Sequence, residues 1–480
     1  MKKYIWSTPI LFGMIAFAAC TQRQLSNITA ITVTTSQVAL RELGSSQLQA
    51  NVFGTGDFNP AVIWSLEPSG FGSLSSGAGN SVLYTAPTNT AGGVVRITAR
   101  SVEAEKRQQT VYISVNPRQT SISAGSTHTL ALKSDGTMLS WGWDANGQLG
   151  NDVALEAKAT PVAVNPISNV VAVAAGGRHS LALKSDGIVY AWGADFAGQL
   201  GNDVALEEKP KPVAVSGLTN VIAISAGQDH NLALKSNGTV YAWGNDADGQ
   251  LGDDPVLLEQ PIPVLVAGVN NVVAIAAGGT HSLALKSDGT VLAWGNDSRG
   301  QLGNDAALVN KRTAEPVVDA TGIIAIAAGA SHSLALKSDG TLLAWGSDEN
   351  GQLGNDPALT NQPTPVVVRG SSGIISMAVG RGHSLALKSD GTMLAWGSDS
   401  DGQLGNDAAL AAQPTPKPVA VAEGIVVIAA GNRHSLALKT DGTMLSWGAD
   451  LNGELGNDAA LEDKPIPVSV LLGANLIRVP

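Results

Sequence analysis

At 480 residues, 44% of them hydrophobic, the chain is long enough for more than one domain and for a sizeable core. Its 40 Asp and Glu against 29 Lys and Arg give a net charge of −11, which argues against a sequence-independent nucleic-acid binder, because that needs a basic face. A single cysteine excludes an intramolecular disulfide, and 55 glycines suit short strands joined by tight turns better than a helical bundle.

Lys2 and Lys3 precede an apolar run, Ile10 to Ala19, that is too short to span a bilayer. The run ends Phe17-Ala18-Ala19-Cys20, which resembles the signal of a bacterial lipoprotein, with Phe17 where Leu is usual. The resemblance implies export, a signal over 1–20, lipidation of Cys20 as the mature N-terminus, and a tether over 21–30. The protein is then expected in the cell envelope, anchored to the outer membrane or cell surface, and otherwise secreted.

From 31 to 116 apolar and polar residues alternate in short runs separated by Gly, Pro, Ser and Asn. Strands are expected at Ile31 to Thr34, Gln47 to Phe53, Ala61 to Ser65, Ser81 to Thr85, Val94 to Ser101 and Val111 to Val115. The segment resembles the bacterial immunoglobulin-like domains, with Val62-Ile63-Trp64-Ser65 as the matching central strand. That resemblance implies a β-sandwich, with Trp64 in its core and a spacer role.

Beyond Pro117 the chain repeats. The seven histidines, His128, His179, His230, His281, His332, His383 and His434, stand 51 residues apart, and Trp141 to Trp447 keep the same step. Residues 118–474 are thus seven units of 51 with no insertion. Within one unit, strands are expected at Val170 to Ala175, His179 to Lys184, Ile188 to Trp192 and Pro212 to Val215. Ser185-Asp186-Gly187 serves as a hairpin turn, because Gly accepts the left-handed conformation. Asn202-Asp203 is expected to cap a helical turn through Ala205-Leu206-Glu207. Seven four-stranded units predict an all-β, seven-bladed β-propeller over 117–480. Asn475 to Pro480 aligns with the start of an eighth unit, so strands from both ends are expected to share one blade and close the ring.

The ordered set Gly-x-x-His-Ser-Leu-Ala-Leu, Ser-Asp-Gly-Thr, Trp-Gly and Gly-Gln-Leu-Gly resembles the regulator of chromosome condensation repeat, a seven-bladed propeller family. Asn237 replaces Asp in the third turn and Glu454 replaces Gln in the last Gly-Gln-Leu-Gly. The family's namesake activity is guanine-nucleotide exchange on a small GTPase. Export and the lack of an insertion able to form an exchange wedge argue against it here.

Residues present in every unit are read as blade structure: hydrogen-bonded histidines, core tryptophans, and Asp144, Asp195, Asp246, Asp297, Asp348, Asp399 and Asp450 in glycine-rich turns. Two of these turns faintly resemble calcium loops but lack the downstream Glu, so no metal site is expected. With no unique histidine and no phosphate-cradling motif, neither catalytic residues nor a cofactor are expected. Function is expected where units differ. If neighbouring strands are antiparallel, the Gly-x-x-His loop and the loop after Trp-Gly share one face. There Trp143, Phe196 and Leu451, with Arg178 and Arg433, fall on units one, two and seven, which adjoin after closure. Aromatics with Arg are the usual composition of interface hot spots. Asp229, Asp248, Glu349 and Asp401 on units three to six read as a solvated acidic rim. The expected function is a non-enzymatic lipoprotein whose propeller binds another protein; the alternative is a carbohydrate-binding or carbohydrate-processing propeller.

Overall fold

Alternating burial shapes the N-terminal strands. In the computed structural model, β1 (Asn27–Thr35), β3 (Ser45–Thr55), β6 (Ser81–Thr85) and β5 (Ser73–Leu74) form one sheet in that spatial order. A second sheet has the order β2 (Ala39–Leu40), β8 (Gln108–Val115), β7 (Gly93–Ser101) and β4 (Val62–Glu67). Leu48, Val82 and Tyr84 of the first sheet pack against Val62, Trp64, Val95 and Ile97 of the second, so the two form a sandwich. Trp64 is buried and donates Nε1–H to the Gly79 carbonyl at 2.7 Å. The first strand starts at Asn27, inside the segment read as tether, and the short β2 and β5 lie outside the expected runs. The structure describes residues 27–477 except 36–38, 41–44, 56–58, 68–72, 76, 86–92, 105, 116–120, 152–153, 254–257, 306, 356–357, 407–408, 421–423, 459 and 474–476. Cys20 and the signal segment lie outside the described residues.

Seven further four-stranded sheets follow in chain order among the described residues. The first blade is β9 (Ile122–Ala124), β10 (His128–Leu132), β11 (Met138–Gly142) and β12 (Lys158–Ala163). The second is β13 (Val170–Ala175), β14 (His179–Lys184), β15 (Val189–Gly193) and β16 (Lys209–Ala214), and the others span 221–265, 272–316, 323–367, 374–418 and 425–469. Every neighbouring pair in a blade is antiparallel, as in His179↔Gly193 and Leu181↔Ala191. The β14–β15 turn is closed by Lys184 N–H to Ile188 O at 3.0 Å, with Gly187 at φ 81°. That conformation is nearly free for glycine and costs other residues about 1 kcal/mol or more.

The expected helical turn at Ala205-Leu206-Glu207 is absent. Asp203 Oδ1 instead accepts the Ala205 N–H at 2.8 Å, and Leu206 adopts φ 52°, which ends any helical path. Asp side chains compete with the backbone in this way and favour turns over helix interiors.

Blades are stapled to one another by side chains. The Gln148 carbonyl accepts both Ser180 Oγ–H (2.8 Å) and Trp192 Nε1–H (2.9 Å) from the next blade. Trp192 itself is fully buried among Leu130, Leu132 and Met138 of the first blade. The pattern continues around the ring and across its ends: Trp141 Nε1–H and Thr129 Oγ1–H both reach the Glu454 carbonyl, at 2.9 and 3.0 Å. Leu436, Leu438 and Ile477 join Ile122 and Trp141 in one core cluster.

Both termini contribute to the closing strand. Ile122, Ser123 and Ala124 pair with β10, while Ile477, also buried, bridges Lys133 at the end of the same strand. The sandwich meets the ring at β7 and β8, against the inner strands of the fourth and fifth blades.

Candidate functional site

Each histidine sits beneath the variable loops as part of a circular relay. Nε2 of His128 meets Ser180 Oγ at 2.9 Å, that of His179 meets Asn231 Oδ1 at 2.7 Å, and that of His434 meets Thr129 Oγ1 at 3.0 Å. Each receiving hydroxyl already donates its own proton to a Gln or Glu carbonyl, and the Asn231 oxygen cannot donate. Nε2 must therefore carry the hydrogen, which leaves Nδ1 without one. Nδ1 is buried without a partner in all seven, so a neutral ring is the satisfied state. Burial lowers His128, His230, His281, His332 and His383 to about 3, and His179 and His434 to about 4. Among the described residues no three His, Cys, Asp or Glu side chains converge as metal ligands.

The repeated aspartates brace the next loop. Asp195 Oδ1 accepts Leu200 N–H at 2.9 Å, and burial raises Asp195, Asp246 and Asp297 to about 6 and Asp450 to about 7. Beside them, the Gln of Gly-Gln-Leu-Gly uses Oε1 to accept a backbone N–H two residues back, as Gln199 does from Ala197 at 2.8 Å. In four blades its amide NH2 donates to a side chain five residues back, Gln250 to Asn245, Gln301 to Asn296, Gln352 to Ser347 and Gln403 to Ser398. The amide nitrogens of Gln148 and Gln199, with Trp143 and Ala194 at that position, are instead buried without a partner. In the seventh blade that position is Ala449, an alanine as at Ala194 of the second blade, and there Glu454 stands in place of Gln. Its carboxylate keeps the accepting role from Asn452 N–H at 2.8 Å and has no donor to satisfy.

With these loops braced, their variable residues form two pockets on one face. One, of about 670 Å³, is lined by Trp143, Phe196, Arg178, Gln228, Asp229 and Asn452 among others. Trp143 and Phe196 are 39% and 51% exposed, so both rings are half in solvent without a covering group. Arg178 of the second blade faces Asp229 of the third, whose carboxyl is pushed up by burial and pulled back by that guanidinium.

Three of the five sequence-selected contact residues, Trp143, Phe196 and Arg178, therefore share one concavity. Leu451, 61% exposed, lies outside its lining. Arg433 also departs from the grouping: its Nε donates to Asp401 Oδ2 at 2.9 Å, and it lines the second pocket, between blades four and seven. Asp401 is buried by this pair, and Glu349 is paired with Arg299. The arc read as a solvated acidic rim is thus partly neutralised by arginines, because loop residues five positions after one Trp reach the loop of the following blade. Asp229, expected on that rim, instead lines the aromatic pocket. Its place directly before His230, next to the blade of Arg178, was the available signal that it joins the aromatic pocket.

A family model described as the RCC1-like domain matches residues 82–316 and 155–479. The chain belongs to the RCC1-like domain family. It is 32% identical over 314 residues to the Ultraviolet-B receptor UVR8 of Arabidopsis thaliana, covering 64% of this chain and 70% of the receptor. It is 33% identical over 300 residues to the probable E3 ubiquitin-protein ligase HERC6 of Homo sapiens, 59% of this chain but 29% of the ligase. The chain therefore spans under a third of that ligase. Among solved structures it is similar to yeast RCC1 (Prp20) bound to Kap60, with TM-score 0.64 and 26% identity over 71% of this chain and 84% of that one. The blades are those of an RCC1-like propeller.

Proposed function

We propose that the chain is a non-enzymatic binding protein of the cell envelope. In this reading Cys20 carries the lipid anchor, residues 31–116 are an immunoglobulin-like spacer, and a seven-bladed propeller captures another protein with its variable face. The observation that carries it is the open pocket where Trp143 and Phe196 stand beside Arg178 and Asp229. Exposed aromatic rings with an Arg in a desolvatable concavity are the usual anchors of a protein interface. Leu451 extends the apolar contact at the margin, and Arg433 borders the contact from the second pocket.

Relatives support a binding role. The yeast relative Prp20 is described as bound to Kap60, and with binding properties to Gsp1p and histones. A Saccharomyces cerevisiae relative, 30% identical, is named a guanine nucleotide exchange factor, which keeps exchange on a GTPase as an alternative partner chemistry.

The test is paired affinity capture from envelope fractions with the wild-type chain and a Trp143→Ala/Phe196→Ala/Arg178→Ala variant of matched circular dichroism. A protein held by the first bait and lost with the second supports the reading. Equal capture by both moves the site off this pocket, and binding of glycans without any protein favours the carbohydrate alternative. Metabolic labelling with a palmitate analogue should mark wild type, and label persisting in Cys20→Ser would refute the anchor.

A further inference from the structure

The second pocket, of about 380 Å³, is chemically unlike the first. Three guanidiniums line it, from Arg299, Arg381 and Arg433, together with two carboxylates, Glu349 and Asp401. Arg299 is taken by Glu349 and Arg433 by Asp401. Arg381 has no hydrogen-bond or ion-pair partner among the described residues. One positive charge is thus left over in a chain whose net charge is −11.

The neutral groups around Arg381 are donors as well. Ser347 and Ser398 each accept an amide N–H, from Gln352 and Gln403 at 3.2 Å, so their hydroxyl hydrogens stay available to a ligand. Gly382 keeps the floor open. A Cβ there would lie 3.3 Å from Asn350 Nδ2 and 3.5 Å from Ser398 Cβ. Asn432 lines both this pocket and the aromatic one, so the two lie side by side.

We propose that this pocket receives the carboxylate of an Asp or Glu side chain on the protein partner. Arg381 supplies the bidentate ion pair and Ser347 and Ser398 supply hydroxyl donors, while an apolar side chain of the same segment occupies the Trp143–Phe196 pocket. A guanidinium presents a planar fork that matches a carboxylate. One unpaired cation balances one negative charge, whereas a phosphate dianion would bring excess charge up against Glu349 and Asp401. The inference rests on the protein-binding reading for its natural ligand, but the carboxylate site is testable without that ligand.

The experiment measures fluorescence anisotropy of labelled hexaglutamate and hexalysine with the whole chain, with free glutamate and inorganic phosphate as competitors. Hexaglutamate is expected to bind despite the repulsive net charge, to weaken as salt rises, and to lose about tenfold or more in affinity in Arg381→Ala. Arg381→Lys, which keeps the charge but not the fork, should fall between, and Arg369→Ala, which removes an exposed arginine outside both pockets, should leave the probe's affinity unchanged. Arg381 is exposed and without polar partners, so its variants should keep the wild-type melting temperature. Absence of hexaglutamate binding, equal affinity in Arg381→Ala, or displacement by phosphate at lower concentration than glutamate would each overturn the assignment. A chain that holds hexaglutamate through Arg381 yet captures no protein would count against the protein-binding reading and leave the carboxylate site standing.

Discussion

At single residues, the repeat is fixed by contacts that reach into the next blade. Gly201 has φ 66°, and a Cβ on it would lie 2.7 Å from Cδ1 and Nε1 of Trp243, closer than real Cβ atoms come. Trp243 cannot retreat, because it is fully buried and its Nε1–H is held by the Gln199 carbonyl at 3.1 Å. Gly201→Ala therefore combines left-handed strain of about 1–2 kcal/mol with overpacking of about 1–3 kcal/mol. Urea unfolding should show a loss in that combined range, and a midpoint within error of wild type would contradict the contact. The Gln-to-Glu exchange at 454 belongs to the same scale. It reads in the sequence as an arbitrary departure; a glutamate there leaves no amide donor unpaired beside Ala449, whereas Gln199 beside Ala194 is kept with its amide nitrogen unpaired.

At the level of the blade, what recurs every 51 residues was legible, because periodicity and alternation are properties of the string itself. His179 to Lys184, Ser185-Asp186-Gly187 and the buried tryptophans could be placed from spacing alone. Contacts between loops of different blades were far less so: nothing in the sequence says that Arg433 reaches back to Asp401, and for Arg178 and Asp229 only their matching places before His179 and His230 on adjacent blades point to the pairing. The helical turn expected at Ala205-Leu206-Glu207 does not form, because Leu206 takes a left-handed backbone that capping chemistry alone does not reveal. The relay between blades allows its own prediction. Ser282 Oγ meets His230 Nε2 at 3.0 Å and donates to the Gln250 carbonyl at 2.8 Å. Ser282→Ala leaves a buried imidazole N–H with no acceptor, at a cost of about 1–3 kcal/mol. Ser282→Thr should be near wild type, since Thr129 fills the same role at the ring closure with His434. Equal denaturation midpoints for the Ala and Thr variants would show that the hydroxyl is not used.

Across the whole molecule the ring acts as one titrating unit, because seven histidines share one environment and closure leaves no blade without neighbours. Their folded values of about 3 to 4 lie below the ordinary 6.5, so the unfolded chain binds more protons whenever the pH is under 6.5. Stability linked to the histidines is therefore intact above about 6.5 and falls on acidification toward 3. The buried carboxyls act in the opposite sense. Asp195, Asp246 and Asp297 at about 6 and Asp450 at about 7 hold protons in the folded state that the unfolded chain releases near 3.8, so they favour folding on acidification within that window. Asp229 and Glu454 are also raised by burial, so seven imidazoles oppose six carboxyls, while the lowered Asp135, Asp288, Asp339, Asp390 and Asp441 act with the histidines. Each net proton is worth about 1.4 kcal/mol per pH unit, so acidification is net destabilising. Urea midpoints should be flat from pH 8 to 7 and decline steadily from 6.5 to 4. A midpoint constant down to pH 5 would mean that the imidazoles are not held neutral, and with that the directed Nε2–H relay joining the blades would have to be abandoned.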